Sequence, residues 1–411
     1  MTLLNLERAQ ALMDTAGIDG LVATSPENVT YLTDYGNWTM YTFKDTDVYG
    51  VLGRDGSRAL VAPIDSADYL GGLPLDDDVE VYTYGTFHVN RNEEVELEGA
   101  EARLLAVREG SKHAANALEA LVLALRERGL DSGRLAVDDR GATPDRWRRC
   151  GEALAGAKVS AGTSLLRSIR MVKTEAEIDR MRFGSRVVQS AIVNAFTTAR
   201  PGLSEADLEQ AIRVATMLAG VLPGHNETSA GTRAGGSFPP SAVYLLKPGD
   251  VIRSDCGGRY RAYFADTGRS AVVGEPHPRI ARYYEAIRAG IEAMIEVVRP
   301  GLPVAELART GIGTVVENGI PDYRRHHVGH GLGLEMYEAP LLTEGSGAAD
   351  IHSFDSPSDV LEAGMVINIE LPYYELGFGG LQIEDTLVVR PGGCELLTPS
   401  SRELFRCPAA V

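Results

Sequence analysis

Apolar positions recur at helical spacing over residues 5–16, then crowd into the short runs DGLVATSP, VYGVLG and RALVAP, which read as strands ending in turns. Residues 114–129, AANALEALVLALRERG, return to a strongly amphipathic helical pattern, and GRLAVDD is one more buried strand. This alternation predicts a small α/β domain ending near residue 165. Thr174 then stands three residues before Glu177, the signature of a capping box, and opens a long helix that Pro201-Gly202 closes. A second helix starts at Ser204, with Glu205 and Asp207 in its first turn, where anions suit the helix dipole. The chain beyond is richer in glycine, strands and hairpins. The boundary is set accordingly, giving domains 1–167 and 168–411.

Two strand pairs in the second domain each carry two carboxylates. In GDVIRSDCGGRYRAYFADTGRSAVVG (249–274), DVIRSD and YFADTGRSAVV are strand-like, and CGGRYRA supplies turn residues. Asp255 and Asp266 flank a turn centred near Tyr260 and Arg261, so pairing would set them face to face. In GMVINIELPYYELGFGGLQIEDTLVV (364–389), Glu370 and Glu384 flank a connection centred on Gly377. These acids sit among Val251, Ile252, Ile367, Ile369 and Ile383. A buried carboxylate without a partner is costly, and four near one point repel and drive their pKa values upward. Divalent cations remove that penalty and accept bridging carboxylates. The competing reading, in which the acids pair with arginines or cap loops, suits one acidic strand residue better than four in two mirrored hairpins.

Between the hairpins lies RRHHVGHGLGLEMYEAP (324–340), which holds three of the eight histidines, and its glycines 329, 331 and 333 let backbone approach closely around His330. Imidazole mixes well with carboxylates around borderline metals. The pattern therefore points to divalent ions held among Asp255, Asp266, His330, Glu370 and Glu384; their use as a pair that activates water is what the family resemblance described below implies. His88, His113, His277 and His352 read as core or surface residues.

Composition narrows the partners. The net charge of −17, with no cluster of Lys and Arg, disfavours nucleic acid and anionic membranes. No apolar run is long enough to span a bilayer, and the first twenty residues read as an amphipathic helix rather than a secretion signal. The four cysteines, Cys150, Cys256, Cys394 and Cys407, form no CxxC pair, which suits a reducing compartment. A cytoplasmic location is expected. Strand alternation turns Cys256 away from Asp255, towards a buried structural role.

The runs GDVIRSDCGG, FADTGRS, VGHGLGLE, LEAGMVINIE and GGLQIEDTLVV, in that order and spacing, resemble the pita-bread metallopeptidase family, most closely its prolidase, aminopeptidase P and creatinase-like branch. LLRSIRMVKTEAEIDRMR resembles the linker between that branch's two domains. The resemblance implies an α/β creatinase-like N-terminal domain followed by an α+β pita-bread catalytic domain. It implies that Asp255 chelates one ion, that Asp266 and Glu384 bridge both, and that His330 and Glu370 complete the ligand set of the second ion. It implies manganese, cobalt, zinc or iron, and the oxygen-rich ligand set favours Mn²⁺. Glu370 becomes the expected proton shuttle to a leaving nitrogen. The branch usually forms homodimers in which one subunit's N-terminal domain borders the other's site. Trp38, in NWTMYTF (37–43), is then a candidate contributor, with a local core role equally open.

The chain departs from the family pattern at three positions. Phe238 and Tyr337 stand where peptide-cleaving members carry histidines, and Gln382 stands where prolidase-like members read RIED. The histidines donate to the tetrahedral intermediate, and such donors are worth roughly 3–4 kcal/mol each. Tyr337 keeps one donor; Phe238 keeps none. His326, four residues before His330, matches a further family histidine, with a catalytic or a packing role. Gln382, Tyr373, Tyr374 and Phe378 indicate a less cationic, more aromatic substrate pocket, with ordinary strand packing the better account of at least one tyrosine. The expected activity is hydrolysis of the C–N bond of an Xaa-Pro-type peptide or other small amide. The alternative is a relative acting on a small metabolite by creatinase-like or ectoine-hydrolase-like hydrolysis, or by sulfonium elimination. A non-enzymatic binding module is disfavoured by the intact ligand set.

Overall fold

The structure is a computed structural model that describes residues 2–409 apart from 44, 74, 76, 77, 141 and 346–357. The chain divides into two compact units, Met1–Arg170 and Met171–Val411. The division falls at the end of the helix Thr163–Arg170, within which the expected boundary lies.

In the first unit a seven-stranded mixed sheet runs in the order Lys112–Ala114, Val79–Tyr84, Arg58–Pro63, Tyr49–Gly53, Gly20–Ala23, Arg134–Val137 and Lys158–Ala161. The amphipathic run at 114–129 forms the helix Ala117–Glu127, which buries Ala117, Ala120, Leu121, Ala124 and Leu125 along one face. It is shorter than its apolar pattern because Ala114 belongs to an edge strand and Gly129, at φ 65°, cannot continue a helix.

The second unit is built on a nine-stranded curled sheet. Its main path runs Glu338–Leu341, Gly329–Gly331, Val366–Glu370, Glu384–Arg390, Tyr263–Val273, Val251–Tyr260 and Leu222–Ala230. The expected capping box of Thr174 with Glu177 is present, and the helix that starts at Ser204 has one as well, with Asp207. The first helix stops at Thr198, a few residues before Pro201. Alternation along the strands assigns their two faces. Ile252, Cys256, Ala265 and Val273 pack under Val188, Ile192 and Phe196 of the helix Glu175–Thr198 and Leu208 and Ile212 of Glu205–Leu218. Ile367, Ile369, Leu387 and Val389 pack under the helices Pro278–Val297 and Val304–Glu317. Each of the Val, Leu, Ile and Phe side chains contributes about 1.5–3 kcal/mol when fully buried, and together they hold the acidic face of the sheet in place. Cys256 is buried on the helix side, as alternation requires.

The first hairpin corrects the sequence reading. Its turn is the two residues Arg261 and Ala262, both with positive φ (46° and 75°), which matches the twist of paired strands. Gly257 and Gly258 lie in the strand Val251–Tyr260, not in the turn. The register slides by two residues in consequence: Asp255 stands opposite Gly268, and Asp266 stands opposite Gly257.

Candidate metal centre

Four strands deliver the acids to one face. Asp255 and Asp266 are diagonal neighbours, each facing a glycine across the ladder. Glu370 stands directly opposite Glu384. The pairs Tyr263–Val273 and Glu384–Arg390 join the two hairpins, with Gly268 opposite Glu384. Gly268 is required there: a Cβ on it would lie 2.7 Å from Gln382 Nε2 and 2.8 Å from Glu384 Oε2. Donor atoms of Asp255, Asp266 and Glu384 all lie within 4.8 Å of one another, and all three residues are buried. His330 Nε2 is 3.7 Å from Asp266 Oδ2. Its Nδ1 is 2.9 Å from the Gly331 carbonyl, a hydrogen bond that leaves Nε2 free to ligate.

The charges are arranged unevenly. Burial and the neighbouring Asp266 and Asp255 push Glu384 well above the ordinary carboxylate range. Burial acts the same way on Glu370, but Arg325, with His327 and His330, holds it down to about 2. His327 Nε2 is 2.8 Å from Glu370 Oε1, and Arg325 Nη2 is 3.4 Å from the same oxygen. Burial lowers His330, which favours its neutral form, the one able to ligate a metal. Asp266 Oδ1 is buried and makes no hydrogen bond. Converging buried oxygens, one of them without a hydrogen bond, fit a divalent cation and are costly without one.

The acidic face floors a cavity of about 480 Å³, lined among others by Phe238, Arg325, His326, His327, Tyr337 and Tyr374. Against this geometry the comparisons with known proteins are consistent. The model of metallopeptidase family M24 matches residues 179–391, and the creatinase/prolidase N-terminal domain model matches residues 5–172. The chain belongs to metallopeptidase family M24.

An Xaa-Pro dipeptidase of Lactobacillus delbrueckii subsp. lactis is 27% identical over 288 residues, covering 69% of this chain and 75% of the relative. One from Pyrococcus furiosus is 28% identical over 243 residues, 59% of this chain and 67% of the relative. Among solved structures, an Xaa-Pro dipeptidase from Bacillus anthracis has the same fold, with a TM-score of 0.76 at 22% identity over 98% of each chain. The protein is therefore a metal-dependent hydrolase with a creatinase-type N-terminal domain and an M24 catalytic domain that takes divalent ions.

Within this M24 centre, the structure brings the five expected ligand residues to one cavity floor. Tyr337 also lines the cavity, with its ring stacked on His330 at 3.7 Å between centroids. Phe238 lines it as an exposed apolar wall. His326 lies at the exposed rim, and the histidine that reaches Glu370 is its neighbour His327, because the chain here turns only one of the two rings inward. Tyr373 does not line the cavity. Strand alternation turns it against Tyr283, 5.2 Å away, and puts Tyr374 in the cavity instead. Gln382 is fully buried beneath the ligands rather than in the pocket. Its Nε2 is 2.9 Å from Asp255 Oδ2 and 2.6 Å from Glu384 Oε2, and its Oε1 accepts from Arg253 Nη1 at 2.8 Å. The guanidinium missing at position 382 is thus supplied by Arg253, which is 3.6 Å from Asp255. Arg325 stands on the cavity wall, paired with Glu370. His352 lies outside the described residues.

Sequence reasoning missed His225. Its Nε2 is 3.2 Å from Asp255 Oδ1 and 3.1 Å from Asp266 Oδ1. The strand that carries it, Leu222–Ala230, reads LPGHNETSA and has no apolar alternation to announce it. The usable signal was the His-x-Glu spacing, which puts His225 and Glu227 on one face of any strand.

Proposed function

We propose that this protein is a dinuclear metal-dependent hydrolase that cleaves the C–N bond of Xaa-Pro-type peptides. The observation that carries the reading is the convergence of Asp255, Asp266 and Glu384 donors within 4.8 Å, beside His330 and Glu370, on the floor of a peptide-sized cavity. The Xaa-Pro dipeptidase relatives supply the substrate class. Two divalent ions held by these five residues would supply Lewis-acid activation of water at neutral pH. The oxygen-rich set favours Mn²⁺, with cobalt, zinc or iron as the other candidates.

The chain's own groups divide the remaining work. Glu370 carries the proton of the attacking water to the departing nitrogen, and His327, at 2.8 Å, orients that carboxylate. Burial and the surrounding carboxylates push the Tyr337 phenol upward, so it stays protonated and donates to the developing oxyanion. Phe238 and Tyr374 close the sides of the cavity around an apolar, proline-like group. His326, at the rim, contacts the outer end of the substrate. A homodimer in the cytoplasm is part of this reading, with the exposed Trp38 (62%) the residue to test at the subunit contact. No helix among the described residues is long and apolar enough to cross a membrane.

The test is a panel assayed with metal-reconstituted protein: Xaa-Pro dipeptides, longer Xaa-Pro peptides, creatine, ectoine and sulfonium metabolites. Turnover of Xaa-Pro peptides is expected. Turnover of a metabolite with no proline-peptide cleavage would refute the assignment.

A further inference from the structure

We propose that His225 is itself a ligand of this metal centre, joined by the carboxylate of Glu227, so that the centre holds two imidazoles rather than one. The inference rests on the dinuclear reading above and adds to it a ligand that the sequence motifs do not include.

Three observations carry it. The first is spacing. His225 Nε2 stands 3.2 Å from Asp255 Oδ1 and 3.1 Å from Asp266 Oδ1. Neighbouring ligands on one six-coordinate ion, with bonds near 2.1 Å at right angles, stand about 3 Å apart. The nitrogen therefore stands from each of the two oxygens at the spacing of neighbouring ligands. The donors of His225, Glu227 and Asp255 form a second group within 4.8 Å, sharing Asp255 with the Asp255–Asp266–Glu384 group.

The second is the bed on which the imidazole lies. Gly257, opposite Asp266 in the hairpin, leaves the space it fills: a Cβ there would be 2.3 Å from His225 Cε1 and 2.6 Å from Nδ1. The absence of a side chain at this position lets the ring reach both aspartates. The third is Glu227. It pairs in register with Asp255, lines the cavity, and has a buried Oε2 with no hydrogen bond. A glutamate oxygen facing two other carboxylates without a donor is costly unless a cation takes it.

A second imidazole changes what the centre selects. One histidine among carboxylates suits hard Mn²⁺, and two shift the preference towards Co²⁺ and Zn²⁺. The His225 ring is thereby a determinant of metal choice.

The experiment titrates metal-free protein with Co²⁺ and with Mn²⁺ by calorimetry and records the visible spectrum of the Co²⁺ form. Wild-type protein is expected to take up two ions. His225→Ala should bind one of them at least tenfold more weakly, lose more Co²⁺ than Mn²⁺ affinity, and shift the Co²⁺ absorption bands. Glu227→Gln should show a smaller loss in the same direction. Unchanged affinities and an unchanged Co²⁺ spectrum in His225→Ala would overturn the proposal and leave His225 as an ion-pair partner of the aspartates. Pulsed EPR of Mn²⁺-loaded wild-type protein counts coordinated imidazole nitrogens without any substitution: two rings support the proposal, and one ring overturns it. Wild-type protein that binds fewer than two ions would instead refute the dinuclear reading on which the proposal stands.

Discussion

The Asp255–Asp266 and Glu370–Glu384 pairs lie across the same kind of antiparallel ladder, yet they reach the centre in different ways. The glutamates stand directly opposite one another. The aspartates are offset by two residues, and each faces a glycine. The empty positions opposite them give space for Gln382, Glu384 and His225 to close in. Their electrostatics differ as well. Glu370 is held ionised by Arg325 and His327, whereas Glu384 has mainly carboxylates for company and is driven well above its ordinary range. Glu384 is thus the acid that most needs a cation, and Glu370 the one that the protein itself can satisfy.

The sharpest way to break this comparison is to delete an acid from the crowded side. Glu384→Ala and Asp266→Ala should both abolish the paired site, with metal content falling below one ion per chain and peptidase turnover lost with it. Elemental analysis beside a peptidase assay checks both, and near-wild-type metal occupancy would contradict their central position. Gln382→Ala removes the amide shared between Asp255 and Glu384. Loss of such a supporting contact typically costs about 10–100-fold in metal affinity, readable by calorimetry. Gly268→Ala forces a methyl against Gln382 and Glu384. Overpacking of this kind costs about 1–3 kcal/mol, which denaturant unfolding will show.

A buried acid away from the centre gives the smallest and most informative contrast. Glu177 caps the helix Glu175–Thr198, and burial raises it to about 7 against 4.5 for the free side chain. Its folded pKa lies above its unfolded one, so the native state binds the extra proton between those values. Its contribution to stability therefore falls as pH rises from about 4.5 to about 7, then levels off. Glu177→Gln should remove that part of the slope, so the difference in melting temperature between variant and wild type moves in the variant's favour across the window. A pH-independent difference would mean that Glu177 keeps an ordinary pKa.

Much of this was legible in the sequence because its signals are local. The capping box at Thr174 and the helix start at Ser204 depend on residues three apart, and the carboxylate-bearing strands announce themselves by runs such as MVINIE. The slide in the first hairpin was not legible: Gly257 and Gly258 look like turn residues, while the actual turn uses Arg261 and Ala262 in a conformation that rarely suits them. The exchange of Tyr373 for Tyr374, and of His326 for His327, reflects facing, which one residue of register decides. His225 reaches the centre only through the pairing of its strand, Leu222–Ala230, with Val251–Tyr260, and its segment offers no more than the His-x-Glu spacing to announce it.

The central claim is that two divalent ions sit among Asp255, Asp266, His330, Glu370 and Glu384. Anomalous diffraction from crystals grown with Mn²⁺ tests it directly. Two peaks bridged by Asp266 and Glu384 are predicted. A single peak, or none within reach of those two carboxylates, would contradict the account.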